Sequence, residues 1–223
     1  IPFIARYRKE VTGALNDEIL RNLYERLTYL RNLEDKKQSV LGSIEEQGKL
    51  TEELKARIEA AETLVVLEDL YRPYRPKRKT RASVARARGL ASLAELLLAQ
   101  NSGTDPEKAA AEYLSEEVPD TAAALAGARD ILAEQFSEDA ALRQELRELY
   151  QRTALLASKA ADAEKESVYE QYYDYAEPVS KVAGHRILAV DRGERESFLK
   201  VSIQAEAEQA AALLRRRFVR AGG

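Results

Sequence analysis

Between Asn16 and Gly48, apolar side chains recur at helical spacing: Ile19, Leu23, Leu27, Leu30, Leu33, Val40 and Ile44. Asn16 is a favoured N-cap, and Asp17 and Glu18 suit the positive end of a helix dipole. At 1.5 Å of rise per residue, a helix of this extent is about 48 Å long, more than a small domain is wide. It reads as a spine, packed along most of its length by the elements that follow. A coiled coil is the competing reading, but the stripe is broad and Lys36 and Lys37 interrupt it.

The other segments are also predominantly helical. Glycine and proline number only 10 and 6 among 223 residues, while Leu, Ala, Glu and Arg abound. Pro2 suits a first helical position, Phe3, Ile4, Tyr7 and Val11 share one face, and Gly13 ends that helix. Thr51 starts a short helix carrying Leu54 and Ile58. Thr63 caps an almost wholly apolar one through Tyr71, expected to be buried. Thr80 and Gly89 bracket a helix of about eight residues, followed by an apolar helix over 90–100. Asp105-Pro106 and Pro119-Asp120 open two more, the second running through Phe136, and Ser137 starts another that reaches at least Arg152.

After Thr153 the pattern changes. Residues 153–159 and 197–203 read as extended, the latter alternating Leu199, Val201 and Ile203 with Lys200 and Ser202, which suggests a small antiparallel pair. Tyr169, Tyr172, Tyr173 and Tyr175 crowd the segment between. With Glu170 and Asp174 beside them, they fit a packing face better than a base-stacking platform. A helix from about Ala205 ends in Arg215, Arg216, Arg217 and Arg220, suited to a C-terminal dipole. The expected organisation is a helical domain over 1–152 and a mixed helix and short-strand continuation over 153–223.

The charge distribution carries the clearest functional cue. Arg72, Arg75, Lys77, Arg78, Lys79, Arg81, Arg86 and Arg88 lie within 72–88 with no acid among them. The net charge is −3, so removing those eight leaves about −11 for the rest of the chain. Pro73 and Pro76 fix their own φ angles and push Arg72 and Arg75 toward extended conformations, which predicts a stiff connector with its cations turned outward. Arg81 in the first turn of a helix opposes the dipole, so it fits either a bound phosphate or a neighbouring carboxylate. Arg6, Arg8 and Lys9 on the first helix read as a solvated face, with phosphate contact as the alternative.

Other chemistry is thinly represented. With no cysteine and one histidine, neither a disulfide framework nor a thiolate or imidazole metal site is expected. No glycine-rich phosphate loop follows a strand. Ser180, His185 and Asp191 lie within twelve residues of one another without the strand-turn-helix elbow that presents a nucleophile, so a triad is not supported. No apolar run approaches the roughly 18 residues of a membrane span. The expectation is a non-catalytic, cytoplasmic chain without a cofactor. It opens on Ile1-Pro2-Phe3 with no methionine anywhere, and is expected to be a piece of something longer.

Four stretches, 1–13 (IPFIARYRKEVTG), 43–51 (SIEEQGKLT), 67–82 (LEDLYRPYRPKRKTRA) and 185–196 (HRILAVDRGERE), resemble the N-terminal helical region of the Tex family. These are bacterial transcription accessory proteins related to a eukaryotic elongation factor and histone chaperone. The resemblance implies a mainly α fold with a helix-turn-helix-like part. It also implies a ribonuclease-H-like domain, helix-hairpin-helix elements and an RNA-binding β-barrel beyond the residues here. The family usually has serine where Gly184 stands and often glycine where Ser197 stands, which puts local turn geometry in question rather than membership.

Two functions compete. In the first, the basic connector touches the phosphates of RNA or DNA without regard to sequence, adding electrostatic attraction to domains it positions. In the second, the same face docks on RNA polymerase or another domain of the longer protein.

Overall fold

The computed structural model describes residues 2–13, 15–76 and 79–220, which fall into two compact units, Ile1–Pro76 and Lys77–Gly223. The partition expected from sequence placed its boundary at 152/153, within the second unit.

The first unit is all helical: α1 (Pro2–Tyr7), α2 (Lys9–Thr12), α3 (Asp17–Glu46), α4 (Glu52–Glu59) and α5 (Leu64–Tyr71), then a 3-10 turn over Arg72–Tyr74. The single first helix expected from the apolar spacing is broken at Arg8, and Phe3, Tyr7 and Val11 stay largely in solvent. Each later start is capped as its residue predicts. Asn16 accepts from the Ile19 N–H at 2.8 Å, Thr51 from Leu54 at 3.2 Å and Thr63 from Val66 at 3.3 Å.

The core of this unit lies at one end of α3. Leu33, Val40 and Ile44 are buried with Leu54, Ile58, Leu67 and Leu70. Lys37, which interrupts the stripe in sequence, is buried as well. Its ammonium donates to the Glu59 carbonyl at 2.7 Å, supplying a cation to the C-terminus of α4. The expectation of a spine packed along most of its length does not hold. From Arg21 to Asn32 every residue of α3 is exposed except Tyr29, whose hydroxyl accepts from the N–H of Leu64 at the start of α5.

The second unit comprises α6 (Arg81–Ala87), α7 (Ala91–Ala99), α8 (Pro106–Ala111), α9 (Thr121–Glu138), α10 (Ala140–Thr153), β1 (Leu155–Ala160), β2 (Asp174–Pro178), α11 (Gly184–Arg195), β3 (Leu199–Gln204) and α12 (Ala207–Phe218). Small residues let α6 and α9 approach closely: Ala82, Ala85, Ala124 and Ala128 are buried together around Leu90, Leu93 and Ile131. At Gly127 an added Cβ would lie 2.4 Å from Leu90 Cδ1, so any larger residue would force the buried Leu90 side chain to move. The helix expected to restart at Ser137 instead begins after Asp139, whose carboxylate accepts from the Leu142 N–H at 2.7 Å.

The strand pair expected from sequence is present, β1 against β3, with Ser158 opposite Val201. A third strand, β2, pairs antiparallel on the other edge of β1 and gives the order β2-β1-β3. Tyr169 and Tyr172 pack with Val190 and Leu199 in a small core, the packing role read from their spacing. α12 is held by more than its dipole. Arg216 and Arg217 pair with Glu145 at 2.8 and 3.4 Å, Arg217 also with Asp139 at 2.9 Å, and Phe218 stacks on Phe136 at 3.9 Å.

Candidate nucleic-acid interface

In the first unit, Arg72 and Arg75 stand at the end of α5. Arg72 departs from the extended conformation expected before a proline, adopting φ −51° and ψ −43° in the 3-10 turn, whereas Arg75 is extended at φ −65° and ψ 131°. Hydrogen bonds to α3 override the local preference. Tyr71 and Ser43 share a hydroxyl hydrogen bond of 3.0 Å, and Gln47 donates to the Tyr74 carbonyl at 2.9 Å. The start of the connector is thus docked on the long helix, with both arginine side chains exposed. Arg75 comes within 3.8 Å of Glu68; no ion pair to Arg72 is formed among the described residues.

Lys77 and Arg78 lie outside the described residues. In the second unit, Lys79, Arg81, Arg86 and Arg88 surround α6, whose ends follow the sequence closely. Thr80 and Ser83 form a reciprocal capping box, each side chain accepting from the other's backbone N–H, at 3.0 and 2.8 Å. At the far end Gly89 takes φ +79°. Its N–H donates to Arg86 and that of Leu90 to Ala85, closing the helix in a Schellman motif. That short turn leads directly into α7.

The four cations divide into two groups. Arg86 is committed to α9: its guanidinium lies 2.5 Å from Glu134, a carboxylate that also accepts from Thr80 Oγ1 at 2.9 Å and whose side chain is only 12% exposed. The others are more loosely paired. Arg81 is 89% exposed and meets Asp130 at 3.6 Å, and Arg88 meets an exposed Glu117 at 3.6 Å. Lys79 is exposed and forms no ion pair among the described residues. Pairs of this length in solvent contribute little and exchange readily for a competing anion.

Lys79, Arg81 and Arg88 ring a cleft of about 480 Å³ between α6 and α9, floored by Val84, Leu90 and Gly127. A second depression of about 540 Å³, with Lys79, Ser83 and Arg88 on its walls, adjoins it. Helix packing has therefore gathered three solvent-facing cations around one concave surface. Sequence alone could not separate Arg86 from them, because its partner Glu134 lies 48 residues away.

No group of three or more His, Cys, Asp or Glu side chains among the described residues is arranged to hold a metal ion. No helix among them is long and apolar enough to cross a membrane.

Residues 101–221 match the family model described as Tex central region-like, and residues 1–45 match that of the Tex-like protein N-terminal domain. The chain is 51% identical over 209 residues to the transcriptional accessory protein Tex of Neisseria gonorrhoeae. It is 49% identical over 210 residues to protein YhgF of Escherichia coli K12. Each alignment covers 92% of this chain and 27% of the relative, so the chain spans about a quarter of their length. It is also 29% identical over 215 residues to the human S1 RNA-binding domain-containing protein 1, covering 91% of this chain and 21% of that protein.

Proposed function

The chain belongs to the Tex family, and on that premise we propose that it is a non-catalytic, nucleic-acid-associated module of a transcription accessory factor. Its exposed cations meet the phosphate backbone of RNA or DNA without reading sequence, and the module helps to position RNA-binding domains elsewhere in the longer protein. The observation that carries this reading is the ring of Lys79, Arg81 and Arg88 around the cleft between α6 and α9, exposed in an acidic protein. Loose, solvated ion pairs suit such a role. A phosphate displaces Asp130 or Glu117 without leaving a buried charge unpaired. The reading keeps a helix-turn-helix-like part within residues 1–152. Arg72 and Arg75 are exposed on the first unit, and with Lys77 and Arg78 they belong to the same run in sequence. The name of the Neisseria relative supports a transcription-related role, and that of the human relative an association with RNA.

The test is an electrophoretic shift of labelled RNA and DNA by the chain, at low and at physiological salt, beside the variant K79Q/R81Q/R88Q. The reading expects retardation at low salt that the triple variant loses. If retardation is unchanged but the variant no longer co-purifies with RNA polymerase, the surface serves protein docking and the reading fails.

A further inference from the structure

The N-terminal half of α3 leaves most of its apolar face uncovered. Leu20, Leu23, Leu27 and Leu30 follow the alternating three- and four-residue spacing of a coiled-coil seam, with Ile19 and Tyr24 beside them. Leu20 is buried, but Leu23, Leu27 and Leu30 are 58%, 42% and 43% exposed, and Tyr24 is 59% exposed. On another side of the same stretch Tyr29 accepts from the Leu64 N–H at 3.0 Å, which fixes how the helix is rotated within its unit. The leucine seam is thus held outward rather than lacking a defined orientation. A contiguous apolar stripe on a capped, rigid helix marks a contact surface.

The flanks of the seam state what would cover it. Writing Leu20 and Leu27 as positions a, and Leu23 and Leu30 as d, places Arg26 at g and Arg31 at e, the positions that choose a coiled-coil partner by charge. Both arginines are exposed, and neither forms an ion pair among the described residues. Arg26 lies 5.2 Å from the Tyr29 ring, which steadies it without neutralising it. A second copy is a poor occupant. Paired in parallel, Arg26 would face the other copy's Arg31, and paired antiparallel about Leu27 it would face its own counterpart. Like charges at these positions oppose association. An acidic edge reverses the sign.

We infer that the exposed half of α3 is a docking face for one amphipathic helix with leucine-like residues on its seam and glutamate or aspartate on its flanks. The helix lies along Leu23, Leu27 and Leu30, and its carboxylates pair with Arg26 and Arg31. This surface is separate from the cationic cleft at α6, and takes a protein partner rather than a nucleic acid.

The experiment measures fluorescence anisotropy of two labelled three-heptad peptides added to the chain. Both carry leucine at a and d; one has glutamate at e and g, the other lysine. The glutamate peptide should bind at least tenfold more tightly, and that advantage should shrink as salt is raised. L23S/L27S, at exposed positions where circular dichroism can verify the fold, should lose binding, and R26E/R31E should reverse the preference. Equal affinity for the two peptides overturns the inference, as does binding of neither. Sedimentation showing self-association that L27S abolishes overturns it in favour of a second copy.

Discussion

The Arg86 guanidinium sits 2.5 Å from the Glu134 carboxylate, joining α6 to α9 at the side chain that also receives the Thr80 hydroxyl. One arginine of a run of eight is therefore structural. Its substitution separates stability from binding. Arg86→Gln should cost about 0.5–1 kcal/mol in urea unfolding, a value discounted for partial exposure, while nucleic-acid affinity falls by less than about twofold. A drop in affinity as large as that of K79Q/R81Q/R88Q would return Arg86 to the binding surface.

The two halves of α3 should respond differently to truncation. Ile44 is fully buried, so Ile44→Ala should cost about 2–5 kcal/mol. Leu27, on the exposed half, should tolerate alanine within about 0.5 kcal/mol. Similar costs at the two sites would mean that the first half of α3 is packed in solution.

Gly193 on α11 leaves no room for a side chain. An added Cβ would lie 2.6 Å from Leu199 Cδ1 and 3.2 Å from Tyr169 Cδ1, inside the small core beneath the sheet. Gly193→Ala should destabilise by about 1–3 kcal/mol despite the better helix propensity of alanine. Thermal denaturation would detect a neutral substitution at once.

The Tyr175 hydroxyl, and then the Arg186 guanidinium 2.6 Å away, hold the Glu177 carboxyl below its usual range. A carboxylate whose folded pKa is depressed stabilises the fold above its unfolded pKa. That stability is lost as pH falls through the folded value. Glu177→Gln should therefore lower stability near neutrality and flatten the acid limb of the stability–pH curve. An acid limb parallel to that of the unsubstituted chain would remove Glu177 from that linkage.

What was legible in the sequence was local. The caps Asn16, Thr51, Thr63, Thr80, Asp105 and Asp120 act as their residue types dictate, because an N-cap needs only the three residues after it. What stayed hidden depends on distant partners. Lys37 looked like a break in the apolar stripe, and only the Glu59 carbonyl, 22 residues on, explains its burial. Pro73 favours an extended Arg72, and the hydrogen bonds of Tyr71 and Tyr74 to α3 reverse that preference. β2 (DYAEP) has little strand propensity; it forms because β1 offers an unpaired edge. At Ser197 φ is +62°, a left-handed conformation that glycine adopts more easily and that nothing in the residue type announces.

At the candidate site, sequence located the basic run but could not grade its members. Pairing does that: Arg86 is held at 2.5 Å by the largely buried Glu134, whereas Arg81 and Arg88 meet more exposed carboxylates only at 3.6 Å and Lys79 forms no ion pair among the described residues.

The salt dependence of nucleic-acid binding tests the central claim most directly. Plotted as log affinity against log salt concentration, the slope for duplex DNA should be negative. It should flatten by about 0.9 for each phosphate no longer neutralised, hence by roughly 2–3 in K79Q/R81Q/R88Q. An unchanged slope and affinity in that variant would contradict phosphate binding at the α6 cleft.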